Sequence, residues 1–288
     1  MKWPASLVAF WDFHQDAAEF APALGGADIG PLQVCGGAPR RMSAGPFGHA
    51  VVFNGRDDAL GVAVDQIGSL NVGAVGDSVS VLAWIKRTPS SECHFVAGIW
   101  VEDDRAPKRQ YGLFVDLPVY GGADRVCGHV SRTGGPSPGL PFSRDYSASA
   151  RTVSFDRWQL AGFTYDGVCV TSYLDGVADT YRHYTEPPPP LGLGLGYPKN
   201  PYRIPEGCGL PGLNGAPAEF TVGAVQLSDG PGNHFAGAIG GLAVFDRALT
   251  SDQIRLIAEH SPCPSSYVTD VRARGAWGES VDDAHERL

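Results

Sequence analysis

WQLAGFTYDGVCVTSYLDG, residues 158–176, decides the fold. Two runs rich in apolar and β-branched residues flank Asp166-Gly167, and the glycine supplies the positive-φ position that a tight two-residue turn demands. The pair reads as a β-hairpin, so antiparallel pairing follows. Similar runs, each bounded by Gly, Asp, Asn or Pro, recur at LVAFWDF (7–13), HAVVFNG (49–55), SVSVLAWIK (78–86), HFVAGIW (94–100), RQYGLFVDL (109–117), RVCGHVS (125–131), EFTVGAVQL (219–227) and GGLAVFDRAL (240–249). With the hairpin they make a census of ten strands. One helix stands against them, after Leu249, where Thr250 or Ser251 can cap and Ile254, Ile257 and Ala258 repeat at helical spacing.

Ten strands and one short helix near the C-terminus predict an all-β fold. Alternation on one face implies a two-sheet antiparallel jelly-roll sandwich, which buries one side of each strand and solvates the other. Composition agrees: 38 Gly and 23 Pro in 288 residues, 43% hydrophobic and only 18% charged, suit many short strands joined by turns. One domain over residues 1–262 and a C-terminal tail over 263–288 are expected. Residues 132–150, 186–217 and the tail read as loops.

Net charge is −9 and no basic run exceeds Arg40-Arg41, which argues against nucleic acid and anionic membranes as partners. The N-terminal stretch MKWPASLVAFWDF reads as a first strand rather than a leader, since Asp12 and His14 break its apolar run and no small-residue cleavage site follows. Without 18 consecutive apolar residues no spanning helix is expected, and a soluble, cytoplasmic protein is the expectation. The six cysteines, at 35, 93, 127, 169, 208 and 263, lack metal-ligand spacing and read as reduced thiols, with three disulfides as the alternative in a secreted form.

HAVVFNGRDDALGV, SVSVLAWIKR, WQLAGFTYDG, SYLDG and FAGAIGGLAVFDRALTSDQI follow each other in an order and spacing that resembles the laminin G-like jelly-roll domains of the concanavalin A-like lectin and glucanase superfamily. The resemblance spans roughly residues 7 to 260. It implies a concave sheet face that binds ligands, most often carbohydrate. Asp57 and Asp58 keep the FNGRDD pattern, which in some members helps hold calcium; turn formation is the competing reading, and no other cofactor is called for. The chain departs from the pattern at Gly240 and Gly241, where such domains commonly carry an acidic pair.

A candidate site emerges from strand faces. In RQYGLFVDL the core file is Tyr111, Leu113, Val115 and Leu117, which leaves Gln110, Gly112, Phe114 and Asp116 opposite. By the same alternation Arg125, Cys127, His129 and Ser131 face away from the core in RVCGHVS, as do His94, Val96, Gly98 and Trp100 in HFVAGIW. A ring to stack on beside fixed donors and acceptors suits a sugar. Arg109 and Arg125 could grip a carboxylate on an acidic sugar, with Arg144 and Tyr146 reaching in from a rim loop and His234 from another.

Three functions compete. The first is a carbohydrate-recognising module that takes an oligosaccharide or small sugar acid without catalysis. The second is a carbohydrate-active enzyme. A lyase would use Gln110 and Arg125 to neutralise a uronate, His129 as base and Tyr146 or Tyr111 as acid; a glycoside hydrolase would need a second carboxylate beside Asp116. The third is a protein-binding sandwich, which an exposed apolar patch would favour. The sequence carries no signal for oligomeric state.

Overall fold

The computed structural model describes residues 2–15, 19–90, 93–137, 143–183, 197–204 and 213–261. Two large antiparallel sheets dominate. One has nine strands, with Gln159–Tyr165, Val79–Arg87 and Ala236–Phe245 adjacent at its centre. The other has eight, in which Tyr146–Thr152, Gly122–Val130, Tyr111–Leu117 and His94–Ile99 lie side by side. The hairpin forms as expected: Tyr165 pairs with Val170, and Gly167 has φ +93°. Each of the ten sequence segments contributes a strand, and EFTVGAVQL contributes two, Phe220–Val222 in the eight-stranded sheet and Val225–Leu227 in a small third sheet.

The main core lies between the two sheets, built from files such as Val79, Val81, Ala83 and Ile85 against Tyr111, Leu113, Val115, Val126 and Val130. Unlike the sandwich expected from alternation, neither outer face is open. The Ser251–Glu259 helix, held by a capping box at Thr250, sets Ile254, Ile257 and Ala258 against Leu82, Trp84, Leu160 and Phe245 outside the nine-stranded sheet. Outside the eight-stranded sheet a third cluster gathers Phe95, Trp100, Phe114, Cys127, Tyr146 and Val225.

Two bulges redirect side chains. In the His94–Ile99 strand the register slips between the Leu113–Ala97 and Phe114–Phe95 pairs, so Val96 is an extra residue. Phe95 therefore turns outward with Trp100, while Val96, Ala97 and Ile99 face the core, an inversion of the expected file at its start. Asp116, at φ +64°, does the same for Leu117, which packs outward rather than with Val115. Residues 132–150 also depart from expectation, because Tyr146–Thr152 is a strand. Its serines hid it: they are buried but satisfied, Ser147 Oγ lying 2.6 Å from Ser172 Oγ and Ser149 Oγ accepting from the Val126 N–H at 3.0 Å. Within 186–217, Tyr197–Asn200 and Tyr202–Arg203 are strands. The tail over 263–288, with Cys263, and Cys208 lie outside the described residues. Cys35, Cys127 and Cys169 form no disulfide.

Packing leaves no room for side chains at Gly240 and Gly241. A Cβ on Gly240 would stand 2.4 Å from the Pro46 ring, and one on Gly241 2.7 Å from Phe47 and 2.9 Å from Trp84. The loop carrying Pro46 and Phe47 thus occupies the room that side chains there would need. No helix among the described residues is long and apolar enough to cross a membrane.

Candidate functional site

Cross-strand register places Tyr146, His129, Gly112 and Gly98 in one row of the eight-stranded sheet. Gly112 leaves a gap beside His129, and aromatic rings from neighbouring positions fill it. A Cβ on Gly112 would sit 2.9 Å from the Phe114 ring and 3.0 Å from Phe95. Trp100 packs on the His129 imidazole with centroids 4.3 Å apart and planes at 31°, while Tyr146 and Phe114 meet the same ring edge-on at 5.2 and 5.6 Å.

Above these rings opens a pocket of about 150 Å³, lined chiefly by Glu102, Phe114, Val119, His129, Ser143 and Tyr146, with Asn233 at its margin. His129 is 5% exposed and neither of its ring nitrogens makes a well-formed hydrogen bond, though the Ser143 backbone lies close enough to favour the protonated ring. Burial, reinforced by Lys199 and Arg109, holds its pKa well below the usual histidine value, with the Ser143 backbone working against the shift. The imidazole is therefore neutral near pH 7, presenting one N–H donor and one acceptor.

Glu102 is the ionised group of the lining. Its Oε1 accepts from Trp100 Nε1 at 2.7 Å and its Oε2 lies 3.5 Å from Arg109 Nη2. Arg109 is 4% exposed against 25% for Glu102, so the carboxylate is the member of the pair that faces outward. Beneath Tyr146 lies Lys199, fully buried, its Nζ 3.3 Å from the ring centroid and donating to the Arg144 carbonyl at 3.3 Å. Burial pushes its pKa down to about 7, opposed by Cys127 and Asp145. Cys127 is itself pushed up to about 12, mainly by burial, and so stays a thiol.

The expected site residues divide. Trp100, His129, Tyr146 and Arg109 come together at the pocket, the last behind Glu102. Gln110 does not: Nε2 donates to Asn71 Oδ1 at 2.8 Å and Oε1 accepts from the Gly73 N–H at 3.0 Å, which pins the 72–74 turn. Asp116 accepts from the Asp124 N–H at 2.8 Å within its own hairpin. Arg125 donates through Nη1 to the carbonyls of Ser149 and Ala150, lies 4.2 Å over the Tyr181 ring and does not line the pocket. His94 packs against Phe235 on the core side, with its pKa lowered to about 4 by burial and by Arg87. His234 is buried, and Arg144, whose backbone N–H donates to Ser137 Oγ at 2.9 Å, keeps its guanidinium Nη1 buried without a partner; neither residue lines the pocket. Asp58 accepts from the backbone N–H groups of Ala38 and Asn54, at 2.7 and 2.8 Å, and Asp57 from the Asn54 amide, also at 2.7 Å, so both carboxylates close a turn. Among the described residues no group of three or more His, Cys, Asp or Glu is placed to hold a metal.

Alternation could not reveal Glu102, Ser143 or Lys199. Glu102 opens the acidic run Glu102-Asp103-Asp104 ahead of Arg105, Lys108 and Arg109, a pattern that local charge pairing explains, and Lys199 sits between two prolines in YPKNPY, where its only signal is an isolated charge in an apolar, turn-rich segment. A larger groove of about 420 Å³ runs between Lys2–Ala5 and the helix, lined by Trp3, Leu256 and Ile257. It has no buried, unpartnered polar group to orient a ligand, and the smaller pocket has one in His129.

No family model matches the chain, and no curated protein matches it. Solved structures do share its fold. Domain 4 of AbnA, a GH43 extracellular arabinanase from Geobacillus stearothermophilus solved with arabinotriose, aligns at TM-score 0.52 and 18% identity over 88% of this chain and 98% of that one. Trypanosoma rangeli sialidase in complex with sialic acid aligns at 0.53 and 13% over 88% of this chain and 33% of its own. The receptor binding domain of botulinum neurotoxin C/D mosaic serotype gives 0.53 and 11%, over 88% and 51%. At these identities the likeness is one of fold, a β-sandwich.

Proposed function

We propose that the chain is a carbohydrate-recognising sandwich of the laminin G-like, concanavalin A-like kind, and that it takes one sugar residue in the pocket over His129. The observation that carries this reading is the buried imidazole with two unpartnered nitrogens at the foot of an aromatic-lined pocket. An unmet polar group of that kind costs roughly 1–3 kcal/mol, and since neither nitrogen is open to solvent in the free protein, a ligand's hydroxyls would recover that cost with a shift of the rings that cover them. Phe114 and Tyr146 supply ring surface for the C–H face of a pyranose or furanose, and Ser143, Asn233 and Glu102 supply polar contacts. A volume of about 150 Å³ lies below the range of about 300 Å³ and more for drug-sized ligands, and so suits a single terminal residue. Neighbours solved with arabinotriose and with sialic acid support a sugar ligand in general.

Recognition is favoured over catalysis by what surrounds the pocket. Tyr146 Oη donates to the Val119 carbonyl, Gln110 is engaged elsewhere, and Glu102 is the one carboxylate of the lining. Neither a base and acid pair nor two carboxylates converge on one bond. Calcium at Asp57 and Asp58 would have to displace the Asn54 side-chain amide from one and two backbone N–H groups from the other, and the proposal calls on none.

Titration calorimetry against a panel of methyl glycosides and short oligosaccharides tests the reading. His129→Phe keeps the ring contact with Trp100 and removes both nitrogens, so the affinity of the best ligand should fall about 10-fold or more, equivalent to about 1.4 kcal/mol. An unchanged affinity in the folded variant refutes the pocket, and silence across the panel refutes carbohydrate recognition in favour of a protein-binding sandwich.

A further inference from the structure

We infer that the ligand of this pocket is a neutral sugar residue, selected against uronates and other sugar acids by the one charge that faces it. The inference rests on the carbohydrate reading and goes beyond it to the class of sugar. No arginine or lysine among the described residues lines the pocket, and Arg144, whose buried Nη1 has no partner, is not among the lining residues. Arg109 is buried behind Glu102, Arg125 is held by two backbone carbonyls and a tyrosine ring, and Lys199 lies fully buried beneath Tyr146 with its Nζ on the Arg144 carbonyl. The ionised side chain left in the lining is the Glu102 carboxylate, the more exposed partner of its pair.

A carboxylate wall accepts hydrogen bonds and repels carboxylates. Once the covering rings shift to admit a ligand, His129 adds one donor and one acceptor, a set that a pair of adjacent hydroxyls, each able to give and take a hydrogen bond, meets in full. A ligand carboxylate, which only accepts, could satisfy the N–H but would leave the imidazole lone pair unmet. The remaining lining, Phe114, Leu117, Pro118 and Val119, is apolar and suits the C–H face of an uncharged ring.

The test compares matched pairs on the full chain: methyl glucoside with methyl glucuronide, and methyl galactoside with methyl galacturonide, by calorimetry or by ligand-observed NMR. The neutral member should bind at least 10-fold more tightly in the pair that binds best. Val119→Lys, at an exposed position on the rim, should raise uronate affinity several-fold and leave the neutral sugar nearly unchanged. A wild-type preference for the uronate overturns the inference while leaving carbohydrate recognition standing, and so does a Val119→Lys variant that gains nothing for the acid. Failure of both members in every pair overturns the carbohydrate reading itself.

Discussion

Trp84 and His129 each point outward from a sheet, and each is buried under rings. Around Trp84 the polar account closes. Its indole N–H donates to Ser261 Oγ, and the Ser251–Glu259 helix covers the surrounding face with Ile254, Ile257 and Ala258. Around His129 it does not close. Two ring nitrogens have no partner, a lysine lies buried beneath the adjoining tyrosine, and a pocket opens where the other sheet has a helix. Two faces of one sandwich thus use the same aromatic packing for different ends: where every polar group is met the cover is structural, and where one is left unmet room remains for a ligand.

The contrast can be broken from either side. Trp84→Ala should be the costlier change, lowering unfolding free energy by about 3–5 kcal/mol in chemical denaturation, because a fully buried indole leaves a cavity that the helix cannot fill. Sugar affinity at native temperature should hardly move. Gly112→Ala comes next: its methyl would press on Phe114 and Phe95, at a cost of about 1–3 kcal/mol, and a shift in near-ultraviolet circular dichroism should report the displaced rings.

Acid sharpens the comparison, since His94 and His129, the two buried histidines with the most lowered pKa, both belong to the eight-stranded sheet. His94 titrates near 4 and His129 well below its usual value, whereas in the unfolded chain each takes its proton near pH 6.5. The folded state therefore binds fewer protons than the unfolded one below about pH 6.5, and stability should fall as pH drops through that window. The slope should reach at most about 1.4 kcal/mol per pH unit for each histidine. His129→Phe should flatten the slope between pH 6.5 and 5 in denaturant titrations, whereas Trp84→Ala should leave it unaltered. Thr250→Ala should have the smallest effect, about 1 kcal/mol, read as a modest drop in melting temperature from loss of the helix cap.

Much of this was legible in the chain. The Asp166-Gly167 hairpin, the ten strand segments and the capped helix all follow from local patterns that the fold keeps. Strand alternation also put Trp100 and His129 on one face, where the fold packs them with Tyr146. Alternation failed where the backbone breaks period 2. The extra residue at Val96 and the positive φ of Asp116 each turn the following side chains over, and neither leaves a mark that sequence periodicity can detect. Polar residues misled for a different reason. Gln110, Arg125 and Asp116 look like ligand groups in the sequence, but their partners are backbone groups and an amide that only folding brings to them.

The sequence by itself determined that this chain is an antiparallel β-sandwich with one capped helix, because turns, caps and burial patterns act over a few residues. Tertiary structure decided which polar groups remain unmet. Whether an arginine is spent on a carbonyl, or a histidine left bare beneath a pocket, depends on segments that meet across the sheet: Gln110 with Asn71, Glu102 with Arg109, and Lys199 with Tyr146. Hydrogen-bonding capacity belongs to the residue, but its satisfaction belongs to the fold.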